Sequence, residues 1–480
     1  MGKKITALFL TVALICALFS CKEETKETQP ETSDTSLATE AETEEKIDYY
    51  KNVPKDTDYG GYKFTVLEYD NEVYWLTYIG TSEQTGEVLN DAAYRRNLEV
   101  SELLGIEIEM IRKPIWSILD TMKKSNAAND NIYDLVVPWP VENLAKTISE
   151  NQVYDWKKIP YVDLKADWYS QSANDVLTVK GKQYFAVSNL TYPLHHHFRI
   201  LFNKDLFSEM GLEYPYQLVY DGKWTYDAFY RLVHGAYSDL NGNGSADTSD
   251  RYGLGTNIIR LSYSICNWGE YPVNLDKNGF TLNIYSDKIA DMVSKLVELV
   301  SSKDTYAQDD DYAYSIFWDG RALFTPYSSS PELLRDIEFD FGYLPYPKYD
   351  EAQKDYITVG FNGYMGVPIT KTDDELERIG AIIEALSAAS SKYVEDAFIT
   401  KYIEGKVLRD ADSVNMYRLC RSTETHSRAF IFDSTGIIRD MNYYSEIIRD
   451  KSGNLASQYE KYNAKIEKAL QKMYESITGD

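Results

Sequence analysis

Strand and helix patterns alternate over the first folded region of the chain, and this order constrains the fold more than any other feature. Tyr62–Leu67 alternates like a strand, Asn90–Leu104 has apolar residues at helical spacing, and Ile106–Ile111 returns to the strand pattern. Gly105 stands where a helix C-cap belongs, and Asp134–Val137 is a further apolar strand. Because strands that alternate with helices form βαβ units, the sequence predicts an α/β fold with a parallel sheet.

Polar and aromatic side chains follow two of these predicted strands. Glu68, Tyr69 and Asp70 come directly after the first strand, and Trp139 comes shortly after the last one. Open parallel sheets bind their ligands beyond the carboxyl ends of the strands. We therefore expect these four residues to line a ligand site.

A second region of the same kind follows along the chain. The first region also contains a predicted helix at Ile115–Ser125. The second region begins with a predicted strand at Gln183–Val187. Later strands are predicted at Phe198–Phe202, Ala322–Thr325 and Phe341–Leu344, and later helices at Asp287–Val300, Asp373–Ala388 and Asn454–Ile477. The sequence thus predicts a second α/β region with its own sheet.

The N-terminus has the pattern of a secretion signal. Lys3 and Lys4 precede a short apolar run, which predicts a signal peptide over residues 1–20. The residues that end at Cys21 (LFSC) resemble a bacterial lipobox, in which the cysteine becomes the lipidated first residue. The alternative is an ordinary signal peptide with an incidental cysteine. We expect a protein outside the cytoplasm, anchored to the cell membrane by its N-terminal lipid.

The segment after the signal is rich in Glu and Thr and has no aromatic residue until Tyr49. Such a composition cannot bury enough apolar surface to fold, so residues 21–57 are predicted to be a disordered acidic tether. The whole chain is acidic, with 75 Asp and Glu against 50 Lys and Arg. This charge argues against a nucleic-acid partner.

Cys266 and Cys420 either form one disulfide or remain two buried thiols.

Residues 239–250 match the pattern of a calcium-binding EF-hand loop. Side chains with oxygen atoms recur at alternate positions, and Gly244 occupies the sharp turn of the pattern. The predicted calcium ligands are Asp239, Asn241, Asn243, Ser245, Asp247 and Asp250, with Ser245 contributing its backbone carbonyl. We expect a structural calcium ion; the alternative is a surface turn without metal.

Further residues are candidates for contact with a sugar, whose ring has an apolar face and a rim of hydroxyl groups. Aromatic rings can cover the face, and polar side chains can bind the rim. Aromatic residues make up 14% of the chain, which favours a carbohydrate ligand. By their positions in loops and near predicted strands, the candidates are Trp268, Glu270, Tyr327, Asn362 and Tyr364. The alternative for each is a role in packing or in a hinge.

Three consecutive histidines occupy residues 195–197. Successive residues of a strand point to opposite faces, so the three side chains cannot readily bind one metal ion. We expect histidines with hydrogen-bond partners in a segment that crosses between two parts of the fold; the alternatives are a transition-metal site and contact of one histidine with the ligand.

The order of several stretches resembles bacterial extracellular solute-binding proteins of the family 1 type, the lipoprotein components of sugar ABC importers. After the lipobox, these stretches are DYGGYKFTVL (58–67), GEVLNDAAYRRNLEV (86–100), YDLVVP (133–138), ILFNKDLFSEMGLEYPYQLVYDGKWTYDAF (200–229), DLNGNGSADTSDRYGL (239–254), GRALF (320–324), FGYLPYPKYDEAQ (341–353) and IGAIIEALSAAS (379–390). The most specific is LFNKDLFSEMGL, which resembles the strand, Asn-Lys pair and short helix of the family's second lobe.

The resemblance implies a two-lobed periplasmic-binding-protein-like fold of type II, with the lobes joined by crossover hinge segments. The N-terminal lobe is expected to comprise residues 58–190 and 311–360, and the C-terminal lobe residues 191–310 and 361–480. A ligand would bind in the cleft and favour the closed arrangement of the lobes.

The implied function is that of a monomeric, non-enzymatic lipoprotein that captures a carbohydrate, most readily an oligosaccharide, and delivers it to the membrane subunits of an ABC permease. One alternative is a surface lipoprotein that binds or hydrolyses glycans without a role in transport. Another is transport of a peptide or a different small solute. The sequence contains no HExxH, Walker or GxSxG motif that would point to an enzyme.

Overall fold

The computed structural model describes residues 47–70, 78–139, 141–191, 197–309, 312–328, 331–360, 363–439 and 441–479. The predicted signal peptide and Cys21 lie outside the described residues. No helix in these ranges is long and apolar enough to cross a lipid bilayer.

The strands are β1 Tyr62–Asp70, β2 Ile106–Pro114, β3 Leu135–Val137, β4 Arg199–Asn203, β5 Tyr252–Asn257, β6 Val273–Asp276, β7 Gly279–Leu282, β8 Thr305–Gln308, β9 Ala322–Tyr327, β10 Phe341–Leu344, β11 Thr358–Gly360 and β12 Glu424–His426. The helices are α1 Val88–Leu104, α2 Ile118–Ala128, α3 Leu144–Ser149, α4 Gln171–Leu177, α5 Lys204–Glu209, α6 Tyr216–Tyr220, α7 Tyr226–Val233, α8 Ile258–Ser262, α9 Ser264–Asn267, α10 Asp287–Ser301, α11 Tyr312–Trp318, α12 Asp373–Ser390, α13 Ala411–Ser422, α14 Arg428–Phe432, α15 Asn442–Arg449 and α16 Leu455–Thr478. The chain is π-helical over Ser391–Glu395 and Ala397–Val407.

The first sheet is parallel, as the sequence predicts. Its strand order is β2-β1-β3, with β1 in the centre, and β1 is buried over most of its length. Helix α1 ends where predicted, because Gly105 adopts a left-handed conformation with φ of 63° and its N–H bonds to the carbonyl of Ser101. We use the name first lobe for the part of the chain that packs around this sheet.

The second sheet has the strand order β10-β4-β9-β5-β8 and is mixed. Strand β5 is parallel to β8 and β9, whereas β4 is antiparallel to β9 and β10. We use the name second lobe for the part of the chain around this sheet. The expected boundary at residues 311–360 is therefore corrected, because β9 and β10 pair with β4 in the second lobe and do not return to the first.

The expected assignment of residues 361–480 to the second lobe also needs correction. Helix α12 packs against α1 of the first lobe, and the Arg96 guanidinium is 3.4 Å from the Ser390 hydroxyl. The following π-helical segment contacts α1 as well, and Lys392 forms an ion pair of 2.8 Å with Glu99. The second π-helical segment contacts both α1 and residues 331–336 between β9 and β10, and α13 then packs on β10 in the second lobe.

The end of the predicted tether is part of the folded body. Val53 is buried, and the Asn52 side-chain amide donates to the Glu384 carboxylate at 2.8 Å. The Tyr50 hydroxyl donates to Glu99 at 2.5 Å. The predicted tether of residues 21–57 therefore extends too far, because aromatic and apolar residues from Tyr49 onward find partners on the first lobe.

Two of the described segments that cross between the lobes lie side by side. Ala186 bridges to Met365, and the N–H of Phe198 donates to the carbonyl of Val359 at 3.0 Å. Strands β11 and β12 form a separate parallel pair beside this crossing. Gln183–Val187 does not form the predicted strand, since its bond with Met365 is an isolated bridge.

Asn203 and Lys204, the Asn-Lys pair of LFNKDLFSEMGL, each contact the start of a helix. The Asn203 side chain accepts the N–H of Leu206 and so caps α5. Lys204 is buried and forms an ion pair of 2.7 Å with Asp410, which itself caps α13. The ion pair of Lys204 with Asp410 connects the end of β4 to the start of α13.

A buried ion pair joins the part of the chain that follows Met365 to the first lobe. The Lys371 ammonium lies 3.0 Å from the Asp134 carboxylate, and both side chains are almost fully buried. Asp134 also accepts the Tyr62 hydroxyl at 2.7 Å and the Thr65 N–H at 2.8 Å. These bonds satisfy the buried charges, as burial requires.

Candidate functional site

The carboxyl edge of the first sheet brings together the side chains that the sequence predicts there. Tyr69 near the end of β1 is buried and packs edge-on against Trp139, with ring centroids 5.3 Å apart. Trp139 follows β3 and is half-buried, whereas Asp70 at the end of β1 is exposed. The edge therefore carries an aromatic pair and, at the end of β1, an exposed carboxylate.

Trp116 adds a third ring to this aromatic pair and is absent from the sequence-based candidates. It follows β2, its side chain is 58% exposed, and its ring centroid lies 6.4 Å from that of Trp139. The sequence predicts a helix from Ile115, but α2 begins at Ile118 because Trp116 adopts a left-handed conformation with φ of 70°. The rule that selects Trp139, its position after a parallel strand, would also have selected Trp116.

Glu68, near the end of β1, is fully buried. It stands opposite Arg112 in the β1–β2 register, and the Arg112 Nε lies 3.4 Å from its carboxylate. The Arg112 side chain is 37% exposed. The arrangement holds a guanidinium at the same edge as the tryptophans, while Glu68 itself is too buried to meet a ligand directly.

Glu142 is another residue that the sequence does not single out. Its carboxylate accepts the N–H groups of Ile118 and Leu119 at the start of α2 and that of Trp139. Burial raises the pKa of Glu142 to about 7, although these three N–H donors act in the opposite direction. The carboxylate is thus bonded to both of the segments that carry Trp116 and Trp139.

Trp268 and Glu270 do not belong to this site. Trp268 is 2% exposed in the second lobe, where its Nε1 donates to the carbonyl of Pro347 at 3.1 Å and its ring packs on Tyr226. Glu270 binds Lys288 at 2.8 Å. The predicted ligand role of Trp268 is corrected, because a buried and bonded indole has no face left for a sugar.

Tyr327 and Tyr364 are both about 1% exposed. The guanidinium of Arg199 lies 4.7 Å from the centroid of the Tyr327 ring. The Tyr364 hydroxyl lies 3.1 Å from Nδ1 of His426. Their burial places both rings in the packing beside the crossing segments and corrects their predicted contact with ligand, while Asn362 lies outside the described residues.

His197 has the hydrogen-bond partner expected of a crossing segment. Its side chain is buried, Nε2 bonds to the Tyr343 hydroxyl, and Arg199 donates to its backbone carbonyl at 3.1 Å. His195 and His196 lie outside the described residues.

Cys266 and Cys420 are free and buried in the structure, and burial raises the pKa of each thiol to about 12.

The loop of residues 239–250 is held by its own side chains. The Asp239 carboxylate accepts the N–H groups of Gly242 and Gly244 at 2.7 and 2.8 Å. The side-chain amides of Asn241 and Asn243 donate to Asp247. Several oxygen atoms thus share one exposed loop, which fits the ligands that calcium prefers.

Asp250 differs from the other predicted calcium ligands. It is fully buried, and its carboxylate accepts the N–H of Leu240, the N–H of Asp247 and the Tyr237 hydroxyl. Within the described part of the chain, no three His, Cys, Asp or Glu side chains converge as a metal site. Asp250 would bind an ion only after giving up bonds to the protein.

The described fold is similar to solved structures of ABC transporter solute-binding proteins. A substrate-binding protein of Listeria monocytogenes, solved with cycloalternan, is 13% identical over 87% of this chain and 98% of its own, with a TM-score of 0.55. A cyclo/maltodextrin-binding protein solved with maltotetraose is 15% identical over 86% of this chain and 97% of its own, with a TM-score of 0.57.

The GacH receptor of Streptomyces glaucescens, solved with acarbose, is 14% identical over 85% of this chain and 99% of its own, with a TM-score of 0.55. No family model and no curated protein sequence matches the chain. At these identities the similarity establishes the fold: the chain has the two-lobed, periplasmic-binding-protein-like fold that the family resemblance implies.

Proposed function

We propose that this protein is a carbohydrate-binding protein of an ABC importer and that Trp116 and Trp139 form the aromatic part of its ligand site. The observation that carries the proposal is the exposed tryptophan at the carboxyl edge of the first sheet, 6.4 Å from its partner ring. Proteins of the same fold have been solved with cycloalternan, maltotetraose and acarbose, all of them carbohydrates.

The chemistry of this edge suits an uncharged, hydroxyl-rich ligand. Indole faces can cover the C–H face of a sugar ring, and desolvating such a large ring contributes strongly to affinity. Asp70 and Arg112 supply an accessible carboxylate and a guanidinium for hydroxyl groups. Binding requires no group that attacks or protonates the sugar, so we expect the carbohydrate to be released unaltered.

The site is tested by calorimetric titration with a panel of mono- and oligosaccharides, comparing the wild type with Trp116→Ala. We expect the variant to bind about 10- to 100-fold more weakly, with a change in unfolding free energy within about 0.5 kcal/mol. Tyr285→Ala is the matched control, because Tyr285 is a 44% exposed aromatic residue of the second lobe. Unchanged affinity in Trp116→Ala would refute the site.

The membrane role extends this proposal. The apolar segment that ends in LFSC and the acidic stretch after it support a lipid anchor at Cys21, with a permease as the partner that receives the carbohydrate. Expression with a clickable palmitate analogue should label the wild type and leave Cys21→Ser unlabelled. Equal labelling of both proteins would contradict the anchor.

A calcium ion in the loop of residues 239–250 is a separate proposal. Asp239, Asn241, Asn243 and Asp247, with the carbonyl of Ser245, would hold it, and the ion would stiffen the loop. At about five times its Kd, calcium would raise the unfolding free energy by about 1 kcal/mol. Thermal unfolding with calcium or with EDTA measures this shift.

Asp239→Asn should remove the calcium response, because the variant loses the carboxylate that begins the loop. Asp276→Asn should keep it, since Asp276 accepts an N–H group in an unrelated turn. A wild type that melts at the same temperature in calcium and in EDTA would overturn the calcium proposal.

A further inference from the structure

The two tryptophans of the proposed site are carried by separate segments of the chain. Trp116 follows β2 and Trp139 follows β3, and the central strand β1 lies between these two strands in the sheet. Each tryptophan lies beyond the last ladder bond of its strand. Strand pairing alone therefore does not determine how far apart the two rings lie.

Glu142 bonds to both segments at once. Its Oε1 accepts the N–H of Ile118 at 3.1 Å and that of Leu119 at 3.4 Å, the first two residues of α2, which begins shortly after Trp116. Its Oε2 accepts the N–H of Trp139 at 3.1 Å. The backbone N–H of Glu142 closes the turn by donating to the carbonyl of Trp139 at 2.9 Å.

We infer that Glu142 is a positioning residue that holds Trp116 and Trp139 at the separation the ligand requires. The inference deepens the proposed function and rests on it. Glu142 is 6% exposed and both of its oxygens are occupied by backbone donors, so it acts through the tryptophans and does not touch the ligand.

A carboxylate suits this role better than any neutral side chain. All three of its bonding partners are N–H donors, two of them at the start of a helix, where a negative charge is favoured. In the Glu142→Gln variant one oxygen would be replaced by an NH₂ group, which would meet an N–H donor and lose that bond. The other segment would stay attached, so the change separates the two tryptophans without removing the side chain.

The protonation state of Glu142 makes the positioning of the two tryptophans depend on pH, in a direction that can be derived. Burial raises its pKa from 4.5 to about 7, and the negative charge of Asp120 on α2 also raises it. The carboxylate form, which accepts all three bonds, is lost as pH falls through about 7. The folded pKa is above the unfolded one, so the stability that Glu142 contributes is full below about 4.5 and is lost as pH rises through about 7.

Affinity and stability should therefore respond to pH in opposite directions. Between pH of about 8 and about 6, ligand affinity of the wild type should fall, while the contribution of Glu142 to the unfolding free energy should rise. A residue that merely stabilises the fold would change the unfolding free energy over this range and leave ligand affinity unchanged. This opposition distinguishes a positioning role from a structural one.

The test compares Glu142→Gln with Glu384→Gln. Glu384 is also a buried first-lobe carboxylate with a raised pKa, but it bonds to Asn52, Tyr169 and Asp163 and to neither tryptophan segment. We expect Glu142→Gln to bind the best oligosaccharide of the panel about tenfold more weakly and with little pH dependence. Glu384→Gln should bind like the wild type, and equal losses in the two variants would overturn the inference.

A measurement without ligand keeps this inference separate from the proposed function. With 5-fluorotryptophan incorporated, the ¹⁹F resonances of Trp116 and Trp139 are assigned with Trp116→Phe and Trp139→Phe. Each should be single in the wild type at pH of about 8, and both should broaden or split in Glu142→Gln and in the wild type at pH of about 6. If the resonances are unchanged, the positioning role of Glu142 is refuted even if the protein binds a carbohydrate. If the resonances split but the protein binds no carbohydrate, only the proposed carbohydrate-binding function is refuted.

Discussion

Trp139 in the first lobe and Trp268 in the second lobe have similar sequence contexts, since each stands in a short segment after an apolar run. Trp139 is half-buried at a sheet edge, where its ring lies near that of Trp116. Trp268 is 2% exposed, and its indole N–H is bonded to Pro347. The two positions differ in what covers them, and in the second lobe the cover comes from a segment about eighty residues away.

This difference shows which sequence signal carries information about the site. Trp139 follows a parallel strand, and the carboxyl ends of such strands are left open by the fold itself. Trp268 follows the short helix α9, where nothing in the local pattern determines exposure. The position after a strand is therefore the better guide, and it applies equally to Trp116.

The largest expected effect is on stability and belongs to the second lobe. Trp268→Ala should lower the unfolding free energy by about 3–5 kcal/mol, because it leaves a cavity and an unbonded carbonyl in the core. Urea denaturation followed by circular dichroism measures the loss. If the variant unfolded like the wild type but lost carbohydrate affinity, the contrast between the two tryptophans would be wrong.

An intermediate effect is expected for Trp139, whose ring packs on Tyr69 on one side and faces the sheet edge on the other. Trp139→Ala should lower the unfolding free energy by about 1–3 kcal/mol and also weaken carbohydrate binding by about tenfold or more. Denaturation and calorimetric titration on the same preparation give both numbers. Loss of stability without loss of affinity would place Trp139 with Trp268, as a packing residue.

The smallest effects come from one chemical change made in each lobe. Asp70→Asn should reduce carbohydrate affinity about threefold and change the unfolding free energy by less than about 0.5 kcal/mol, because Asp70 is exposed at the proposed site. Glu270→Gln should leave affinity unchanged and cost less than about 1 kcal/mol, since its Lys288 partner is half exposed. Equal effects of the two changes on affinity would remove the distinction between the lobes.

Much of the fold could be predicted because its signals are local. The end of α1 at Gly105 and the first residues of α10 at Asp287 and of α12 at Asp373 all lie where the sequence indicates them. The start of α2 could not be predicted from spacing alone, because the left-handed conformation of Trp116 shortens the helix. That single backbone feature also hid the most exposed tryptophan of the site.

The lobe boundaries could not be predicted for a different reason. Strands β9 and β10 are about 120 and 140 residues away from β4, and only their antiparallel pairing assigns them to the second lobe. Helix α12 is buried continuously from Ile379 to Ser390, but its apolar sequence does not specify which lobe it packs against. Glu142 was missed for the same reason, since its three donors come from two segments that approach only in the folded chain.

The sequence by itself determined the α/β class, the parallel first sheet, the main helix ends and the position of Glu68, Tyr69, Asp70 and Trp139 at one edge of that sheet. It could do so because strand alternation, helical spacing and caps act between residues that are near each other in the chain. Only the tertiary structure decided which aromatic residues remain exposed, which lobe each later element joins and which carboxylate bonds to both tryptophan-bearing segments. These features depend on contacts between distant segments, whose partners no local pattern specifies.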